Sequence, residues 1–169
     1  ELLAGVTIAV LGGTGAQGRG LARRFAMAGL PVVLGSRSAE KASATAAALI
    51  ETVGDVSITG GTDAEAAALG DVVVIAVPWD GHRELLVELA PLLAGKIVVN
   101  CVNPLGFDKQ GAFALLVTEG SAAQQAAEVL LGVPEGLQLV ALIALGDPHH
   151  DPPMPKRRAI DECVHYHRF

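Results

Sequence analysis

The sequence predicts an open α/β sheet of parallel strands with helices wound over both faces, and three observations lead to that fold class. Short apolar runs rich in Val, Ile and Leu alternate with longer runs whose apolar positions recur at helical spacing. The first strand-like run leads through a glycine cluster straight into a helix. The alternation continues to about residue 146, where the composition changes. Neighbouring parallel strands must be joined by crossovers, and a helix laid on the sheet buries them beside one another.

Taken in order, residues 6–11 form a β-branched run that ends at Gly12-Gly13, and residues 17–28 continue as a helix stopped by Gly29-Leu30-Pro31. Residues 31–34 are the second strand, after which 36–38 open an Ala-rich helix lasting to about Val53. Residues 56–59 read as a weak third strand, 62–69 as a short helix, and 71–77 as a strongly apolar strand closed by Pro78. Over 80–93, Leu85, Leu86, Leu89, Leu92 and Leu93 recur at helical spacing, and 96–102 is a further buried strand ending at Asn103-Pro104. Ser121 with Gln124 starts a helix to about Leu131 through a capping box, and 137–145 would be one more strand. Beyond Gly146 come Pro148, Pro152, Pro153 and Pro155 with His149, His150, His165 and His167, the composition of an extended arm. The chain therefore divides into an α/β domain over 1–146 and a Pro/His-rich tail over 147–169.

Composition narrows the function classes. A chain of 169 residues can bury one core without disulfides or a metal. No apolar stretch approaches the length that spans a bilayer, and Glu1 opens neither a basic nor an apolar leader, so a soluble cytoplasmic protein is expected. The net charge is -6 and the twelve Lys and Arg are scattered, which excludes a basic stripe for nucleic acid. Cys101 and Cys163 are expected as reduced thiols, and His149, His150, Cys163, His165 and His167 have no usual metal-ligand spacing and fit a mobile tail. Uncovered strand edges invite a second chain, which leaves a homodimer open.

The chemistry concentrates at the ends of the predicted strands. Gly13-x-Gly15-x-x-Gly18 has the spacing of a dinucleotide turn, and its position between a strand and a helix gives it the context of a Rossmann-like unit. There the backbone N–H groups from Thr14 through Ala16 to Gln17 face a pyrophosphate at the positive helix end, Gly15 lets the phosphate approach, and Gly18 lets the helix pack on the strand. An NAD-binding second strand ends in Asp or Glu, which accepts from the ribose 2′-hydroxyl. This chain has Ser36-Arg37 instead, with Lys41 one turn into the helix, so NADP(H) is favoured: Arg offers a bidentate fork, Ser a donor and Lys a second positive charge. Ordinary solvated helix-start residues would look the same, and that alternative stays open. Val77-Pro78-Trp79 and Asn103-Pro104 end the fourth and fifth strands on the edge where open α/β sheets place ligands, and they would flank the nicotinamide. Trp79 serves equally well as a packing aromatic, and His82 is expected at the surface. No nucleophile-base pair or carboxylate dyad stands out, and hydride transfer by proximity needs none.

Leu11-Gly12-Gly13-Thr14-Gly15-Ala16-Gln17-Gly18, the Gly35-Ser36-Arg37 turn with Lys41, Val77-Pro78-Trp79 and Asn103-Pro104-Leu105-Gly106 together resemble the NADPH-dependent reductases of the deazaflavin coenzyme F420, over residues 1 to about 130. The resemblance implies an oxidoreductase that exchanges hydride between NADPH and the deazaflavin, with coenzyme F420 as co-substrate stacked on the nicotinamide. It places Ser36, Arg37 and Lys41 at the 2′-phosphate and the Thr14–Gln17 turn at the pyrophosphate. In that family further strands and helices follow the segment matching 121–131 and complete the deazaflavin pocket and much of the dimer contact. This sequence departs from that pattern. Val133-Pro134-Glu135-Gly136, Leu142-Ile143-Ala144-Leu145-Gly146, the Pro-rich run and Arg157-Arg158 instead resemble the C-terminal end of flavin-dependent nitroreductases, a last strand and an arm that wraps a partner subunit, with basic residues near the FMN phosphate. The other walls of an FMN site are absent from the sequence, so flavin is not expected. Two further functions stay open: an NADP(H)-binding module without turnover, and a reductase of a small carbonyl or imine.

Overall fold

The computed structural model describes residues 5–132. The expected strand at 137–145, the tail at 147–169 and the Arg157-Arg158 pair lie outside the described residues.

Five parallel strands, β1 (Ile8–Leu11), β2 (Val32–Ser36), β3 (Ile58–Thr62), β4 (Val72–Ile75) and β5 (Ile97–Asn100), lie side by side in the order β3-β2-β1-β4-β5. Helices α1 (Ala16–Met27), α2 (Ala39–Val53), α3 (Asp63–Leu69) and α4 (His82–Leu93) make the crossovers. An antiparallel hairpin of β6 (Leu105–Asp108) and β7 (Gly111–Ala114) precedes α5 (Ala122–Leu131).

Strand side chains alternate between faces, and β1 shows the consequence. Ile8 and Val10 pack with Leu21, Ala22 and Ala26 of α1 and Ala42 and Ala46 of α2. Ala9 and Leu11 pack on the opposite face with Ala66 and Ala67 of α3, Leu86, Leu89 and Leu93 of α4, and Ala122 and Ala126 of α5. The sheet is therefore wound on both faces. A strand buried on both sides must be apolar at every position, which is why the IAVL run of β1 carries no polar alternation. The strand order reverses between β1 and β4, and such a reversal opens a crevice beyond the carboxyl ends of those strands.

Each expected helix forms, with its start fixed by a side chain in three cases. Ser38 accepts from the Lys41 N–H at 3.3 Å, Thr62 and Glu65 complete both halves of a capping box, and Ser121 accepts from the Gln124 N–H at 3.1 Å. At Ser121 only that half of the expected box is made.

Two differences from expectation have physical causes. The third strand runs over Ile58–Thr62 rather than 56–59, so Gly60-Gly61 lies inside the strand instead of breaking it. The glycine is there because α2 crosses too close for a side chain: a Cβ on Gly60 would stand 2.3 Å from the Ala42 carbonyl carbon. The hairpin was not anticipated; its turn is held by the Asp108 carboxylate accepting from the Gln110 N–H at 2.7 Å, with Gly111 at φ 122°. Among the described residues no helix is long and apolar enough to cross a membrane.

Candidate functional site

The turn after β1 is built by glycines with different duties. Gly12 has φ 71°, and a Cβ there would stand 2.8 Å from the Ala76 carbonyl oxygen. Gly13 donates its N–H to the Gly35 carbonyl at 2.8 Å, and a Cβ on it would stand 2.6 Å from Leu34 Cδ2. A Cβ on Gly18 would stand 2.6 Å from the Gly12 carbonyl oxygen, so its lack of a side chain lets α1 close on the turn, as expected. Gly15 is unlike these. Its Cβ would meet only the Gly12 oxygen at 3.4 Å, leaving this backbone open to a close-approaching group.

Gly15 is also the N-cap of α1, with no side-chain cap and no acidic residue in the first turn. A helix leaves its first N–H groups without intrahelical partners. The Gly15 N–H is committed to the Gly12 carbonyl at 3.0 Å, so the helix-start donors left for an anion in the cleft are those of Ala16 and Gln17.

A cleft of about 730 Å³ opens at the carboxyl ends of the strands. Thr14, Gly15, Ala16 and Gln17 line it from the turn, Ser36, Arg37 and Lys41 from the end of β2 and the start of α2, and Val77, Pro78, Trp79 and Asn103 from beyond β4 and β5. Gly13, Gly18 and Pro104 do not line it: the two glycines serve packing, and the Pro104 carbonyl accepts from the Leu115 N–H at the base of the hairpin. Ser36 is buried and its Oγ accepts from the Ser38 N–H at 3.3 Å. Arg37 and Lys41 are exposed, and neither has an ion-pair partner among the described residues.

One contributor escaped the sequence. Asp63, the first residue of α3, lines the same cleft, and its Oδ1 accepts from the Gly12 N–H at 3.1 Å. Burial pushes its carboxyl up from the usual range, against the pull of the Gly12 N–H and the nearby Arg37 charge. The available signal was positional: an acid one residue past a Thr cap, at the end of the strand beside β2.

At the other end of the cleft the expectation for His82 fails. It is fully buried, because α4 begins beneath Trp79 and carries the imidazole under α5. Its Nδ1 lies 2.9 Å from Gln125 Oε1 and its Nε2 lies 3.0 Å from Asn100 Nδ2. An amide oxygen accepts and an amide nitrogen donates, so the network fixes a neutral ring with the proton on Nδ1. Gln125 is oriented by donating to Glu119 at 3.2 Å; Asn100 donates to the Ala122 carbonyl at 3.1 Å and accepts from the Val102 N–H at 3.0 Å. Burial pushes the imidazole below its usual range, outweighing Gln125, Asn100 and the more distant Glu84 and Glu119. Trp79 does both of its candidate jobs, lining the cleft while its ring packs 5.5 Å from that of His82. Cys101 is a buried free thiol, and the described residues contain no group of acids, His and Cys able to hold a metal.

A doubly wound parallel sheet, a glycine turn opening a helix, and a cleft at the strand reversal define a Rossmann-like α/β domain. Solved structures agree on the fold. Lactate dehydrogenase from Cryptosporidium parvum, crystallised with lactic acid and β-nicotinamide adenine dinucleotide, matches with a TM-score of 0.56 at 18% identity, over 76% of this chain and 42% of that one. Glycerol-3-phosphate dehydrogenase from Coxiella burnetii matches with a TM-score of 0.54 at 21% identity, over 74% and 38%. Residues 7–104 match the family described as NADP oxidoreductase coenzyme F420-dependent, and this chain belongs to it. The F420-dependent NADP reductase of Methanothermobacter thermautotrophicus is 42% identical over 127 residues, 73% of this chain and 55% of that protein. The enzyme of the same name from Methanocaldococcus jannaschii is 37% identical over 130 residues, 73% and 57%. The chain thus spans little more than half the length of these relatives.

Proposed function

We propose that this chain holds NADP(H) along the cleft and passes hydride between NADPH and coenzyme F420. The observation that carries the reading is the ribose end, where β2 finishes at Ser36 and two cations without an ion-pair partner among the described residues, Arg37 and Lys41, line the cleft. A 2′-phosphate is drawn to such a pair, whereas the 2′-hydroxyl of NAD(H) gains little from it. The remaining residues fit a dinucleotide: Gly15 leaves open backbone, the first turn of α1 offers free N–H donors, and the volume is ordinary for a cofactor site.

NADPH, when bound, supplies the hydride. Ala16 and Gln17 would hold the pyrophosphate through their N–H groups, with Thr14 and Gly15 lining the same stretch of the cleft, and Ser36, Arg37 and Lys41 the 2′-phosphate. Val77, Pro78, Trp79 and Asn103 would flank the nicotinamide, and the exposed Leu105 and Phe107 of β6 extend that end with apolar surface for a planar acceptor. No general acid or base is needed, because two rings held in contact exchange hydride by proximity. The names of the relatives support coenzyme F420 as the acceptor. A small-molecule partner in the cytoplasm belongs to the same proposal, as does a second copy of the chain at the sheet edge, where Ile97 of β5 is 65% exposed.

A binding module without turnover is the second reading, because the cations that carry the proposal bear on coenzyme binding and not on hydride transfer. Mixing the protein with NADPH and coenzyme F420 and following deazaflavin reduction separates the two. We expect reduction that NADH does not support; saturable NADPH binding without reduction assigns the module, and absence of NADPH binding overturns both.

A further inference from the structure

We propose that Asp63 limits how strongly the cleft prefers a coenzyme carrying a 2′-phosphate, its carboxylate opposing the anion that Arg37 and Lys41 attract. The inference rests on the dinucleotide reading above. The second strand lacks the terminal acid of an NAD-binding unit, but a carboxylate enters the same place from the strand beside it. Ser36 at the end of β2 is in register with Thr62 at the end of β3, so the residue that follows each strand, Arg37 after β2 and Asp63 opening α3, leaves the sheet at the same edge, and both line the cleft.

Two further observations fix where the charge sits. Asp63 Oδ1 is held by the Gly12 N–H, and it lies so close over β2 that a Cβ on Gly35 would come within 2.7 Å of it. Among the described residues Asp63 Oδ2 has no hydrogen-bond partner, and none of their buried side-chain oxygens is left unpartnered, so Oδ2 is accessible on a residue that lines the cleft. The carboxylate therefore anchors the glycine turn with one oxygen and presents the other to whatever occupies the ribose end. There it accepts from a hydroxyl and repels a phosphate, the reverse of the discrimination made by Arg37.

Asp63→Asn tests this, because the amide oxygen still accepts from Gly12 while the charge is gone. Dissociation constants for NADP+ and NAD+ are measured on the wild-type and variant proteins, with 2′,5′-ADP against 5′-AMP as a second pair that reports the ribose end alone. The NADP+ constant should fall by about three- to tenfold, the size expected of one partly screened charge, with the NAD+ constant unchanged or raised as the hydroxyl loses its acceptor. A wild-type preference for NADP+ carried unchanged or reduced into Asp63→Asn, in both ligand pairs, overturns the role of Asp63 and leaves the NADP(H) reading standing. Equal constants for the two coenzymes in both proteins overturn both.

Discussion

The proposed ribose end of the cleft takes its cations and hydroxyl from one short segment, 36–41, whereas the far end joins Trp79 and His82, Asn100, and Gln125 from three separate stretches of chain. The difference extends to energetics. Arg37 and Lys41 are exposed and have no ion-pair partner among the described residues, so they contribute little to the folding of this part of the chain and are accessible at the cleft. His82 is buried with both ring nitrogens bonded, so it contributes to folding and touches the cleft only through Trp79 and the β5 exit. One end is built to be emptied and filled; the other is built to stay fixed.

That contrast can be broken most readily at His82. Replacing it by Ala removes a buried ring and strands Asn100 and Gln125, and should lower the unfolding free energy by about 3 kcal/mol. Urea denaturation reads this, and a loss under about 1 kcal/mol would mean that the network does not hold the far end together. Lys96 sharpens the comparison as a cation that is not free. Its Nζ donates to the carbonyls of Ala67, Ala68 and Gly70, each at 2.7 Å, closing the C-terminal end of α3. Lys96→Met should cost about 1–2 kcal/mol in the same measurement, unlike the free cations of the ribose end.

The third effect is a pH dependence. His82 has its folded pKa below the ordinary value of 6.5, so the unfolded chain binds the proton more readily. Its contribution is complete above about pH 6.5 and is lost as pH falls from there toward the folded pKa, with a slope of at most about 1.4 kcal/mol per pH unit. Denaturation midpoints compared in steps downward from pH 7 should show this component in the wild-type protein and not in His82→Gln. A component of equal size in both would assign it to other groups.

The same contrast decides how much could be read from the sequence. The ribose end was legible because local rules set it: a glycine turn between strand and helix, a strand ending in Ser36-Arg37, and a Ser38 cap that puts Lys41 on the first turn of α2. The sheet was legible for a similar reason, since strands buried on both faces read as unbroken apolar runs. His82 was misplaced because its burial depends on α5, which returns over α4 some forty residues later and carries no local mark of that contact. Asp63 went unseen because its neighbour Arg37 is reached through the pairing of β2 with β3, and the third strand is expected at 56–59, which stops short of Thr62 and the acid that follows it. The hairpin was missed because both strands are short and largely exposed, so no buried face marks them.

The central claim is that Arg37 awaits a 2′-phosphate, and calorimetric titration of NADPH and NADH into the wild-type protein and Arg37→Ala tests it most directly. The variant should lose about 1.5–3 kcal/mol of NADPH binding, the scale of a charged hydrogen bond, with NADH binding and the unfolding free energy nearly unchanged. Equal losses for the two coenzymes, or no loss for either, would contradict it.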